Sequence, residues 1–214
     1  MYNFRDEMLA ETFDRIQSLS FRDVVSELVQ EATEIHQFWS SSHGWAPIAA
    51  ADLLSKSRLD WQVSLTRCLA GWTTATPSEE SDGRLILAWA NLGALVEGTL
   101  KWFLSIFYED YSTDVKAIRN RGSLQDPDVL TLEALRNFFR LRVWIDEERT
   151  DWDNWIQHVQ QRRNAIHSYA SRPIGDWDEF QLNVRIYLLF VKELKWRAPS
   201  PEDFENGDIG YEEY

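Results

Sequence analysis

A chain of 214 residues is long enough to bury a sizeable core and still falls within the size of one domain. Its 44% apolar and 27% charged residues exclude wholesale disorder and the fibrous repeat classes. A net charge of −13 argues against a broad electrostatic footprint on nucleic acid, which needs clustered Lys and Arg.

The aromatic load is heavy, with eleven Trp, eleven Phe and seven Tyr, and predicts wide helix–helix contacts filled by large rings rather than an aromatic binding box. Cys68 is the only cysteine, so no disulfide and no cysteine-based zinc site forms within one chain; it reads as a small buried residue. The opening Met-Tyr-Asn-Phe-Arg-Asp-Glu lacks the basic-then-apolar order of a signal peptide, which predicts a cytoplasmic protein.

Apolar residues recur at spacings of three and four from the start. Phe4, Met8, Leu9, Phe13 and Ile16 predict one amphipathic helix; Val25, Leu28, Val29, Ala32, Ile35 and Trp39 predict a second. Ser40 to Gly44 breaks the pattern, and His43 in that loop has no evident partner set. Pro47 suits the first turn of a third helix running to about Leu69, with Leu53, Leu54, Trp61, Leu65 and Leu69 inward. Thr73 to Gly83 reads as a loop.

The stretch from Arg84 to Asp110 is apolar nearly all round, as a central buried helix or a membrane span would be. Asn91, Glu97 and Lys101 in mid-segment favour the buried helix, because such groups are costly inside a bilayer. Glu97 and Lys101 stand at the i, i+4 spacing of an ion pair, and Gly93 and Gly98 permit a close neighbour. Tyr111 to Thr131 reads as a polar connection with one short basic helix near Val115 to Arg121. A helix from Leu132 to Val143 follows, its arginines on a solvated outer edge; from Val115 to Arg142 six basic residues stand against three acidic ones.

The next predicted helix runs from about Glu147 to Ala170 with Trp152, Trp155, Ile156, Val159 and Ile166 as its apolar stripe. Pro173 and Gly175 end it, and a last helix over Trp177 to Leu194 stops at Pro199 and Pro201. No strand pattern or internal repeat stands out. The expected fold is all-α: one helical domain over 1–197, with a core at 84–197, a helical extension at 1–72 and a flexible acidic tail at 198–214.

Chemistry concentrates near the end of the helix predicted to reach Ala170. Helical spacing puts Arg163, Asn164 and His167 on one face, whereas Arg162 lies about 140° around the wheel from His167 and reaches it only through its long stem. Which arginine acts is open at this level. A histidine moves protons near neutral pH and a guanidinium holds a phosphate, so the set suits phosphodiester cleavage in RNA without a metal or other cofactor. The RNA 2′-hydroxyl is a built-in nucleophile, and the products would be a 2′,3′-cyclic phosphate and a 5′-hydroxyl. One histidine per chain supplies one proton-transfer group, and a homodimer supplies two. Glu97 is a candidate partner for the cluster beside its pairing with Lys101. The competing reading is structural: Arg and His near a helix C-terminus interact favourably with the helix dipole. His36 and His158 read as ordinary surface or interface residues.

The segment from Gln160 to Arg172, QQRRNAIHSYASR, resembles the signature of the HEPN superfamily, an Arg, four to six residues and a His on a helix of a small bundle. Arg162, four residues and His167 fit that spacing. His167-Ser168-Tyr169 is similar to the extended form ending His-x-Tyr of HEPN toxins paired with nucleotidyltransferase antitoxins, in which the tyrosine is adenylylated. Members often carry a polar residue directly after the Arg; here Arg163 and then Asn164 follow Arg162, which keeps Arg163 in contention. The resemblance covers Arg84 to Trp196 and implies a metal-independent endoribonuclease, a toxin or phage-defence effector, with a site shared across a homodimer and possible modification at Tyr169. Many members are inactive, so a catalytically silent protein-interaction module is the alternative. An acidic nucleic-acid mimic, suggested by the charge, is a third reading.

Overall fold

The computed structural model describes residues 7–73, 79–144, 146–167 and 171–206. The architecture is an all-α helical bundle. Helices α1 (Glu7–Ser18) and α2 (Phe21–Trp39) bury Leu9, Phe13, Ile16, Val25, Leu28, Ile35 and Trp39 of the predicted stripes and half-bury Val29 and Ala32; Phe4 and the Met8 side chain lie outside what the structure describes. Ser20 starts α2 by accepting from the Asp23 N–H at 3.2 Å, satisfying one of the orphan donors of a helix start.

The third predicted helix is two. After α3 (Ile48–Lys56) Ser57 turns extended and donates its hydroxyl to the Leu54 carbonyl at 2.6 Å, and α4 (Leu59–Cys68) starts on a new axis. The break re-registers the faces: Leu59, Val63 and Thr66 turn inward, while Trp61 and Leu65, expected inside, are exposed, as is Cys68. The loop before α3 also differs from expectation, because His43 Nε2 lies 3.1 Å from Asp52 Oδ1.

Helix α5 (Ser81–Ile106) is the buried central rod the composition predicts. Among the described residues no helix is long and apolar enough to cross a membrane. The rod breaks at Phe107 into α6 (Tyr108–Thr113). The basic helix expected near Val115 to Arg121 is absent. In its place β1 (Arg119–Asn120) and β2 (Ser123–Leu124) form a minimal antiparallel hairpin, with Arg121 and Gly122 both at positive φ in the turn. Tyr111 organises this segment, donating its hydroxyl to the Gln125 carbonyl at 2.7 Å and accepting from the Ile118 N–H at 3.2 Å.

Helix α7 (Leu132–Arg142) does not leave all its arginines in solvent. Arg136 is only 9% exposed, held by Glu133 and by both oxygens of Asp153 on α8 (Asp146–Arg163) at 3.0 Å. Burying a guanidinium is tolerable only with such partners.

Helix α9 (Trp177–Arg197) runs antiparallel to α8, with Trp152 against Phe190 and Arg162 against Glu179. It runs parallel to α5, with Trp89 against Phe180 and the Thr99 and Tyr187 hydroxyls 2.9 Å apart. Trp144, Trp152, Trp155 and Phe190 form a buried aromatic knot, and Trp155 donates its indole N–H to Asn183 Oδ1 at 3.0 Å. Ring contacts of this kind add about 0.5–1.5 kcal/mol each beyond area burial. On the other side α1 and α2 pack on α9, where Glu31 accepts from Lys192 at 2.5 Å and from Lys195 at 2.6 Å. Within the acidic tail expected over 198–214, Pro201–Asn206 forms a short helix, α10, and 207–214 lie outside the described residues.

Candidate functional site

The candidate residues lie where α8 ends, and that end comes earlier than periodicity predicts. α8 stops at Arg163 and the chain tightens into a 3-10 turn, Asn164–His167. With three residues per turn, positions i and i+3 eclipse, so Asn164 and His167 stand in line, while Arg163 belongs to the preceding α-helical register. The tightening also moves Ile166 from the expected apolar stripe to 45% exposure; Ala165 is the buried residue of the turn.

The two neighbouring arginines leave α8 toward different helices. Arg162 reaches α9. Its Nε and one terminal nitrogen donate to Glu179 Oε1 at 2.9 and 2.7 Å, and the other terminal nitrogen donates to the Pro173 carbonyl at 2.6 Å. All three guanidinium nitrogens are therefore engaged within the chain. His158, one helical turn before Arg162, places Nε2 at 2.9 Å from the same carboxylate oxygen and stands edge-on to the Trp89 ring. Burial pushes the His158 imidazole below its ordinary pKa, with Arg162 adding to that and Glu179 opposing it.

Arg163 reaches α5. One terminal nitrogen donates to Glu97 Oε2 at 2.6 Å, and Lys101 approaches Glu97 Oε1 at 2.9 Å. Glu97 thus serves both partners between which the sequence left a choice. Burial alone would push the Glu97 carboxyl up; Lys101 and Arg163 outweigh it and hold the group below the ordinary carboxylate range. The glycine at 93 explains how the arginine gets there. A Cβ at this position would sit 2.5–2.8 Å from the Arg163 stem, so the side chain lies directly on the α5 backbone. Gly98 gives the same kind of room to the Gln62 side chain, not to a neighbouring helix backbone.

His167 differs from both arginines. It is exposed, and among the described residues its ring has no hydrogen-bond or ion-pair partner. Asn164, half-buried beneath it, also makes no side-chain hydrogen bond there. Tyr169 lies outside the described residues. The structure therefore joins Arg163 to Glu97 and Arg162 to Glu179, and leaves His167 joined to neither arginine. Among the described residues no group of three or more His, Cys, Asp and Glu is placed to hold a metal ion.

His158 and Glu179 were missed as members of this cluster, although the sequence carries a signal for each. His158 precedes Arg162 by four residues on one helix, a neighbouring position. Asp176 and Glu179 form the Asp-x-x-Glu pattern of a helix start; the Asp176 side chain accepts from the Glu179 N–H at 2.8 Å. The Glu179 side chain turns from the usual return contact to Arg162, and Gly175, at φ +70, leaves space that a Cβ would take from its carboxylate. Compared with known protein families, with curated proteins and with solved structures, the chain returned no match.

Proposed function

We infer that the chain is a HEPN-like, metal-independent endoribonuclease, a toxin or phage-defence effector that works as a homodimer. One observation carries this reading: His167 stands open on a tight turn immediately after two arginines whose side chains are already fixed by carboxylates. An exposed imidazole with no bond to the described residues is available to a proton outside the chain, and guanidinium groups already held in place need no reorganisation to meet a phosphate.

Of the two arginines, Arg163 is the better phosphate contact. It uses one terminal nitrogen and is 31% exposed, whereas Arg162 has every nitrogen bonded and is 16% exposed. In the reaction His167 of one copy takes the 2′-hydroxyl proton as O2′ attacks phosphorus. The P–O5′ bond breaks, and His167 of the second copy delivers a proton to O5′. Each imidazole then carries the opposite protonation state. Asn164, in line with His167 on the 3-10 turn, is placed to bond an imidazole or a phosphate oxygen. Leu87 on α5 and Ile166 on the turn are 51% and 45% exposed on two elements that pack together, and give a second copy apolar surface to cover.

The alternative, a catalytically silent interaction module, draws on the same ion pairs, because Glu97 and Glu179 neutralise much of the charge that would attract a phosphate. RNA cleavage in EDTA separates the two. The endoribonuclease reading expects wild-type protein to yield 2′,3′-cyclic phosphate and 5′-hydroxyl ends, and His167→Ala to yield none. Dependence on added metal, or activity that survives the substitution, would overturn it. A pairing with a nucleotidyltransferase that modifies Tyr169 belongs to the same proposal and is read by mass shift of the tyrosine in cells expressing both proteins.

A further inference from the structure

Helix α5 carries a second feature on the stripe that holds Arg163. Gly93, Glu97 and Lys101 recur every four residues on one face. Lys101, which Glu97 bonds on one side, donates on the other to the Asp128 carbonyl at 3.0 Å and lines a pocket of about 300 Å³. The pocket lies between the α3–α4 corner, α4, the later part of α5 and the turn at Asp128. From Gly93 to Lys101 the helix rises by about 12 Å, roughly the length of three to four stacked nucleotides.

Its walls are unusual in two respects. Trp61 is 58% exposed at the rim, an expensive placement for the largest apolar side chain. The Arg58 guanidinium lies 3.9 Å from its ring centroid and is held there by two bonds to Asp60, at 2.8 and 2.6 Å. Behind the wall, two lining residues carry fully buried polar atoms that have no hydrogen-bond partner among the described residues: the indole N–H of Trp102, a residue only 3% exposed, and the Oε1 of Gln62. One is a donor and the other an acceptor, and each costs about 1–3 kcal/mol while unmet. Lys56 also lines the pocket, and among the described residues it has no ion-pair partner.

We propose that this pocket binds one unstacked nucleotide, its base against Trp61 and its phosphate toward Lys56. A nucleobase presents a flat π-face, which answers the exposed Trp61 ring at the rim. The phosphate answers Lys56, the one lining cation that no carboxylate among the described residues neutralises. Where the nucleotide belongs to single-stranded RNA, the pocket is a subsite of the cleavage site at His167; that part rests on the endoribonuclease reading, and the pocket itself does not.

The test is equilibrium binding of each of the four ribonucleoside 5′-monophosphates, their nucleosides and a four-nucleotide single-stranded RNA to the full chain in EDTA. Wild type and His167→Ala both bind at least one monophosphate. Trp61→Ala weakens binding by about tenfold or more, the loss of one base–ring stack. Lys56→Ala weakens the monophosphate and leaves its nucleoside unchanged, and because Lys56 is exposed this arm decides even if Trp61→Ala lowers the melting temperature. RNA bound at least tenfold more tightly than the monophosphate assigns the pocket to RNA, and equal affinity assigns it to free nucleotide. No saturable binding of any probe, or binding indifferent to Trp61→Ala and Lys56→Ala, overturns the proposal. Binding by His167→Ala with no RNA cleavage by wild type leaves the pocket standing and removes the endoribonuclease.

Discussion

The last turn of α8 and the 3-10 turn that follows are adjacent in the chain and opposite in bonding. In the first, Arg162 and Arg163 are spent on Glu179, Pro173 and Glu97, tying α8 to α9 and to α5. In the second, His167 is exposed and bonded to nothing among the described residues. Residues that hold a fold together satisfy their hydrogen bonds internally, and residues that act on something else keep them open. The comparison therefore divides a motif that reads as one unit: both arginine side chains are tied to neighbouring helices, and the histidine is tied to none of the described residues.

Substituting His167 tests that division hardest. His167→Ala should lower RNA cleavage by about 10²–10⁴-fold, the usual worth of a general acid–base group. Its unfolding free energy should stay within about 0.5 kcal/mol of wild type, as for an exposed residue without contacts. The reverse pattern, retained cleavage with lost stability, would erase the distinction between the two turns.

Arg162→Ala should show the complementary behaviour, destabilising by about 2–3 kcal/mol in chemical denaturation because the Pro173 carbonyl loses its Arg162 donor and Glu179 keeps only His158 among the described residues. Arg162→Lys should recover little of it, since a single ammonium cannot span both acceptors. Arg163→Ala, with one bond lost and Lys101 still on Glu97, should cost less stability and more activity. Gly93→Ala forces the Arg163 stem off the α5 backbone and should cost about 1–3 kcal/mol by overpacking.

The smallest effect concerns pH. His158 has its pKa lowered in the folded state, so below the ordinary histidine value near 6.5 the unfolded chain binds more protons than the folded one. The stability tied to neutral His158 is fully present above that pH and is lost as the pH falls toward the folded value. His158→Gln should flatten this limb of the stability–pH curve between pH 7 and 5. A steeper limb in the variant would contradict the assignment.

The fold was readable in the sequence because helical periodicity is written by burial, and α1, α2, α5 and α9 bury most of the described residues their spacing marks. What periodicity could not show is where a hydrogen bond ends a helix. The Ser57 hydroxyl on the Leu54 carbonyl splits the predicted third helix and turns Trp61 outward, and the tight turn at Asn164 turns Ile166 outward. The site was half legible. The Arg-Arg-Asn-x-x-His order is explicit, but partners 66 residues away, as Glu97 is from Arg163, leave no local trace beyond the small residue at 93 that makes room. His158 read as ordinary because its significance comes from Glu179 on another helix.

The most direct test of the central claim, that His167 is left open for a second copy of the same chain, is the specific RNA-cleaving activity of wild-type protein in EDTA, measured across a dilution series with the oligomeric state followed in parallel by sedimentation. The account predicts activity per chain that rises with concentration and levels off where the dimer saturates, and that falls when excess His167→Ala protein is mixed in. Activity per chain that stays constant down to concentrations at which only monomer sediments, or no cleavage at any concentration, would contradict it.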